Sequence, residues 1–151
     1  MKNSVALVAL FAVISLGAFV TRVTMADSSP KSSSPKSQWD GAYTADQAQR
    51  GESFYAQYCV MCHGPDLMGG EMAPPLIGGT FQANWNDLSL GDLFERIRIS
   101  MPQNAPGSLS RQQVADILSY MLSKDSYPAG QSELPAQSEA LKETKYLSAK
   151  P

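Results

Sequence analysis

The apolar positions of this chain fall into one almost unbroken run, Val5 to Val20, and three shorter stripes at helical spacing. In the first stripe Ala48, Gly51, Tyr55 and Tyr58 recur every three or four residues, which predicts a helix ending near Tyr58. Thr44-Ala45-Asp46-Gln47 opens it as a capping box, Thr44 being the N-cap. Gly51 is costly inside a helix, by roughly 1 kcal/mol against Ala, so a second helix is expected to cross it closely. Leu90, Leu93, Phe94 and Ile97 form the second stripe, behind the looser cap Ser89-Leu90-Gly91-Asp92. Met101-Pro102 closes it, because the residue before proline avoids the helical region. Val114, Ile117, Leu118, Met121 and Leu122 form the third and most regular stripe, behind the capping box Ser110-Arg111-Gln112-Gln113. Gly/Pro-rich segments over 64–79 and 102–108 read as long loops, and no strand pattern of useful length appears. The expected fold is all-α, with three main helices.

The first apolar run does not belong to that fold. Lys2 precedes it, Thr21 and Arg22 end it, and Thr24-Met25-Ala26 supplies small residues where a signal peptidase reads. The run is short for a membrane span, which needs about 20 apolar residues. Residues 1–26 are therefore expected to be a cleaved export signal, with an uncleaved anchor as the alternative. Residues 27–41 open with a Ser/Pro/Lys-rich stretch and are expected to be a linker. The domain would span 42–130, and 131–151 would be a polar tail. In that tail Leu134, Leu141, Tyr146 and Leu147 are possible anchors, with a short helix near 138–146.

Composition narrows the chemistry. The 151 residues carry formal charge −2, with two cysteines and one histidine. Loss of Lys2 and Arg22 with the leader takes Lys+Arg from 12 to 10 against 14 Asp+Glu, a mature charge of −4. An acidic chain of this kind is disfavoured as a nucleic-acid binder, which relies on cationic contacts to phosphate. So few cysteines exclude a multi-disulfide scaffold and a four-cysteine metal site. Only about 90 residues are expected to be ordered, and so thin a core gains from a staple, a metal or a prosthetic group.

Both cysteines and the histidine lie within five consecutive residues, Cys59-Val60-Met61-Cys62-His63. Cys-x-x-Cys-His is the pattern of covalent c-type haem attachment. Two thiols two residues apart match the two vinyl groups, and the adjacent imidazole supplies an axial nitrogen to the iron. Competing readings are weaker. A thioredoxin-like pair needs a βαβ context, zinc needs a fourth ligand, and a plain disulfide leaves His63 unexplained. One haem c, held by Cys59 and Cys62 and ligated by His63, is the expected cofactor.

The second axial ligand follows by elimination. There is no second histidine, and methionine is the usual partner that raises potential. Met61 sits inside the attachment motif, Met68 and Met72 lie within ten residues of His63, and Met121 belongs to the third stripe. Met101 remains, at a helix end and opening a Pro/Gly loop. The competing reading of Met101 is a loop methionine that fills a gap in the core.

With these residues in view, positions from about Tyr43 to Gly130 resemble a class I c-type cytochrome. Gly51, Tyr55 and Cys59 to Gly64 are similar to that family's first helix and haem-binding motif. Pro74-Pro75-Leu76-Ile77-Gly78 resembles its Pro-x-Leu-x-Gly segment, which implies that the Pro74 carbonyl accepts a hydrogen bond from the axial imidazole. Arg98 to Pro102 and Ala105 to Ser110 resemble the axial methionine loop, and Tyr120 the last-helix aromatic that packs near Gly51. The resemblance also implies a propionate donor in Trp85, against which simple core packing stands as an equal reading. Arg96 and Arg98 are either further propionate partners or a solvated helix face. A narrower likeness, to small monohaem cytochromes serving periplasmic dehydrogenases including quinoprotein ones, rests on Leu93 to Ile97, Ala105 to Ser110 and Pro128-Ala129-Gly130.

The function these features imply is one-electron transfer in the periplasm, from a dehydrogenase to an oxidase or another cytochrome. The expected carrier is not itself an enzyme, and it meets a membrane only if the leader is retained. One alternative is a fixed cytochrome subunit of a dehydrogenase or respiratory complex, docked through the tail and the segment before Trp39. The other is a haem enzyme or gas-binding protein with a labile sixth ligand.

Overall fold

A computed structural model describes residues 35–151, and the expected leader lies outside them. The described residues form six α-helices and no strand: α1 Ala45–Tyr58, α2 Val60–His63, α3 Gly78–Trp85, α4 Leu90–Ser100, α5 Arg111–Lys124 and α6 Ser138–Leu141. The three long stripes of the sequence are α1, α4 and α5. None of these helices is long and apolar enough to cross a membrane.

Local signals set the helix ends. Ser110 and Gln113 form a full capping box at α5, and Ser89 and Asp92 form one at α4. The Asp92 carboxylate accepts from both the backbone N–H and the hydroxyl of Ser89, which holds it below the usual carboxylate range. At α1 only half of the expected box is present. Thr44 caps the Gln47 N–H, but the Gln47 side chain turns away from Thr44. Fully buried, it donates to the Leu134 carbonyl and accepts from the Leu134 N–H, at 3.0 and 2.7 Å. A long-range pair that satisfies a buried amide on both sides outcompetes the local cap.

The core lies where α5 crosses α1, with α4 packed against α5. Leu90, Leu93, Phe94 and Ile97 on α4 are buried, as are Val114, Ile117, Leu118, Met121 and Leu122 on α5. At the crossing a Cβ on Gly51 would overlap the Asp116 carbonyl and sit 2.9 Å from the Tyr120 Cβ. The close approach expected of Gly51 and Tyr120 is present. The same Asp116 binds Arg50 through its side chain, at 3.1 and 3.2 Å, and Arg50 also reaches Glu133. These carboxylates hold the guanidinium well above its ordinary range.

Three expectations need correction. The segment expected to be a loop over 64–79 gives way at Gly78 to a helix, α3, which runs on to Trp85. Its stripe is weak, with Phe81 its one buried side chain, so periodicity did not mark it. The linker expected to reach residue 41 is structured at its end. Gln38–Asp40 form a 3-10 turn, Gln38 is fully buried, and Gln38 and Trp39 both donate to the Leu147 carbonyl. The tail folds onto the domain through three of its four expected anchors, and there only the helix length differs. Leu134, Leu141 and Tyr146 are buried, Leu90 donates to the Thr144 carbonyl, and Lys145 donates to the Lys36 carbonyl. The expected helix near 138–146 is one turn, Ser138–Leu141.

Asp125, at the end of α5, joins the tail to α3. Its carboxylate accepts from the Gly78 N–H, the Gln82 amide and the Tyr146 hydroxyl, at 3.0, 3.1 and 2.9 Å. Burial, with Tyr127 and Asp125 beside it, pushes the Tyr146 phenol up, so it stays a donor. Asp125→Ala strands these donors and is expected to cost about 3 kcal/mol, because hydrogen bonds to a charged group are the strong ones. Urea unfolding measures this. Stability within experimental error of the parent would show that the junction contributes nothing.

Candidate functional site

The Cys-x-x-Cys-His motif begins where α1 stops. Cys59 closes α1, its N–H donating to the Tyr55 carbonyl, and also serves as N-cap of α2, the four residues Val60–His63. Both cysteines are half-buried free thiols. Burial, with Cys62 nearby, pushes the Cys59 thiol up to about 11. A thioredoxin-like pair needs a βαβ context, and the described residues form no strand. Among the described residues no group of three or more His, Cys, Asp or Glu is placed to hold a metal ion between them.

His63 is buried, and its Nδ1 lies 2.9 Å from the Pro74 carbonyl oxygen. A carbonyl only accepts, so Nδ1 carries the proton and Nε2 is left with the free lone pair. That is the tautomer an iron-binding imidazole needs. The loop between the two residues is pinned at several points. Gly69 donates to the His63 carbonyl at 2.9 Å, Leu76 donates to the Leu67 carbonyl at 2.8 Å, and Leu67 is fully buried. Gly69 has φ +74, and a Cβ there would stand 2.6 Å from the Pro74 carbonyl carbon. Only glycine allows both that backbone conformation and so close a pass of Pro74. The buried Tyr55 hydroxyl donates to the Gly64 carbonyl at 2.6 Å, tying α1 to the residue after His63. Sequence reading did not find Leu67, Gly69 or the Tyr55 hydroxyl as parts of this site. The Gly64–Gly69–Gly70 spacing was the visible sign of a tight loop.

The other expected residues lie on separate elements. Met101 is the C-cap of α4, half-buried against the core in extended conformation, with φ −121 and ψ 152. Trp85 ends α3, half-buried, its ring tilted against Phe81 with centroids 6.1 Å apart. Among the described residues the Trp85 indole N–H has no hydrogen-bond acceptor, whereas that of Trp39 is taken by Leu147. Arg98 is engaged with the Glu95 carboxylate through Nε and Nη2, so it belongs to a surface ion pair. A cavity of about 500 Å³ is lined by residues 68–75 of the His63–Pro74 loop and includes neither His63 nor Met101.

The donor set fits a c-type haem: two unpaired thiols two residues apart, followed at once by an imidazole whose Nδ1 is already satisfied. Comparison with known families agrees. The family model described as cytochrome C oxidase, cbb3-type, subunit III matches residues 46–121, half of the chain, from the first turn of α1 to the buried end of α5. Curated proteins and solved structures return no match. The matched span contains Cys59, Cys62, His63, Pro74, Trp85 and Met101 together, and the chain belongs to this family of c-type cytochrome domains.

Proposed function

We propose that the protein is an exported, monohaem one-electron carrier of the periplasm, with His63 and Met101 as axial ligands and Cys59 and Cys62 as covalent anchors. When bound, a c-type haem supplies an iron that takes up and releases one electron with no bond broken. The chain supplies the rest. Pro74 holds the His63 ring with Nε2 free, and Tyr55 and Gly69 fix the backbone on either side of that contact. Met101 contributes a soft thioether, and with the apolar core around it raises the potential. Trp85 has an indole N–H to offer a propionate. The donor is a periplasmic dehydrogenase and the acceptor an oxidase or another cytochrome. The observation that carries this reading is the His63–Pro74 hydrogen bond beside two free thiols.

The family description favours a second reading, a fixed subunit of a respiratory complex. The two elements expected to dock such a subunit are the tail and the segment before Trp39. The tail and residues 36–38 are spent on this domain itself, which supports a carrier that diffuses.

The test is to purify the natively expressed protein and titrate it. A lone peak on size exclusion is expected, with haem that survives acid–organic extraction and follows a one-electron Nernst curve. Haem extracted from the parent protein, or an iron that does not cycle, would overturn the proposal. Co-elution with a larger complex would select the second reading.

A further inference from the structure

Given the carrier reading with Met101 as axial ligand, on which this rests, we infer that residues 138–147 of the tail are a positioning element for Met101. They hold α4 in place and so keep the sixth position of a bound haem closed to outside ligands. These residues lie beyond 46–121, so the family match does not reach them. The expected ligands sit on two sets of elements. Cys59, Cys62 and His63 follow directly from α1, which α5 crosses extensively. Trp85 and Met101 end α3 and α4, and α3 makes no comparable contact with any other helix. What α3 does meet is the tail: the buried Tyr146 ring stands edge-on to Phe81, with centroids 6.0 Å apart.

Tyr146 is the meeting point. Its N–H donates to the Leu88 carbonyl and its carbonyl accepts from the Asp87 N–H, both at 2.8 Å, so it pairs in both directions with the turn between α3 and α4. Its hydroxyl donates to Asp125, whose carboxylate also takes the first N–H of α3. Two positions back, the Thr144 carbonyl accepts from the Leu90 N–H, the first of α4, at 2.8 Å. A helix has no partners of its own for its first N–H groups. Leu90 is fully buried, and the tail supplies the acceptor. One residue on, α6 crosses α4 at Gly91, where a Cβ would stand 2.6 Å from the Ser138 carbonyl oxygen. Ser138, Leu141, Thr144 and Tyr146 are all buried. On its other face α4 buries Leu93, Phe94 and Ile97 in the core, but apolar attraction is non-directional. The tail's hydrogen bonds fix the height of α4 along that face. α4 runs unbroken from Leu90 to Ser100 with Met101 as its C-cap, so a shift of its first turn is carried to Met101. In the loop beyond, the backbone bonds are local, Ala105 to Pro102 and Ser108 to Ala105, so α4 is what places Met101.

The test uses the full-length ferric holoprotein with imidazole as the probe, which reaches the iron only after the methionine sulfur leaves. Gly91→Ala pushes the tail off α4, whereas Gln47→Ala frees the tail from α1 by removing the two bonds to Leu134. Both should lower stability to urea. Only Gly91→Ala should weaken the sulfur-to-iron band and bind imidazole about tenfold faster, the effect of ~1.4 kcal/mol on the local opening that precedes binding. Hydrogen exchange at the Leu90 and Tyr146 amides should rise in the same variant, a readout that involves no iron. Tyr146→Phe keeps the ring and removes the bond to Asp125, and should speed imidazole binding by a smaller factor. Equal acceleration by Gln47→Ala would mark general loss of stability and overturn the inference. So would binding at the parent rate in Gly91→Ala, or in Tyr146→Phe should Gly91→Ala not fold. Failure of the Met101 reading is separable: the parent itself would lack the band, and this inference would fall with it. A parent with the band and tail variants with unaltered rates overturn this inference alone.

Discussion

Gly51→Ala is expected to destabilise the protein by about 3 kcal/mol, at the upper end of what overpacking usually costs. In an ordinary helix interior the same change would stabilise by up to about 1 kcal/mol, because alanine is the better helix former. The crossing reverses the sign. The new methyl would overlap the Asp116 carbonyl, which belongs to the backbone of α5 and has no rotamer to adopt. Relief requires the two helices to separate. That would also loosen the Arg50–Asp116 ion pair beside the glycine and the Tyr55–Tyr120 ring contact, centroids 5.4 Å apart, one turn further along. Thermal unfolding should therefore fall by roughly 10–20 °C. Gly79→Ala is the matched control: it lies in α3 with nothing within 4 Å of its would-be Cβ, and should be neutral or slightly stabilising. A Gly51→Ala protein that melts with the parent would mean that the helices do not cross as described. The consequence reaches the site, because α1 carries Cys59 and the Tyr55 hydroxyl at its C-terminal end.

That crossing was readable from the sequence, and the contrast with what was not readable is physical. Gly51 announced itself because a glycine within an apolar stripe conflicts with helix propensity, and the conflict needs a cause. The caps at Thr44, Ser89 and Ser110 were readable because a capping bond spans three residues. α3 was missed because it opens on two glycines of the Gly/Pro-rich stretch and its amphipathic pattern is faint. The order of the segment before Trp39, and the polar pairings that hold the tail beyond its expected apolar anchors, were missed for a different reason. Each is polar by itself, and each becomes structured only against the other. Gln38 spends its amide on the backbone of Leu147 in both directions, and Gln47 does the same with Leu134. Pairings across nearly the whole chain leave no periodic trace. Trp39 was the one local sign that the linker had ended.

The site divides in the same way. Cys59, Cys62 and His63 were legible because their chemistry requires consecutive positions. The Pro74 contact came only with the resemblance to class I cytochromes, since a backbone carbonyl has no side-chain signature. The structure supplies the reason for its position: a loop pinned by Leu67 and Gly69 returns the chain to the imidazole. Arg98 illustrates the reverse case, a cation that looked available and is held by Glu95 three residues away, as neighbouring charges on a helix face commonly are.

The assignment of Met101 yields the second large effect. Met101→Ala should abolish the weak sulfur-to-iron absorption band and lower the potential by on the order of 0.1–0.3 V, within the ~0.8 V that axial ligands span. The other methionines differ from Met101 in placement. Met61, Met68 and Met72 are exposed, and Met121 is buried in the α5 stripe. Met101 alone among the described methionines is half-buried, outside regular helix, and followed by a segment with no periodic pattern. Its backbone is nevertheless held, the N–H donating to the Ile97 carbonyl at 2.9 Å. Were Met101 the ligand, a backbone so held would need little rearrangement on electron transfer. Met121→Ala separates packing from ligation: it should cost about 2–5 kcal/mol by leaving a core cavity, yet keep the band and the potential. Retention of the band in Met101→Ala would transfer the role to another methionine, and a parent protein without the band would favour an open sixth position and a gas-binding haem. Loss of the band in Met101→Ala with unfolding close to that of the parent is the combination that only an axial ligand produces.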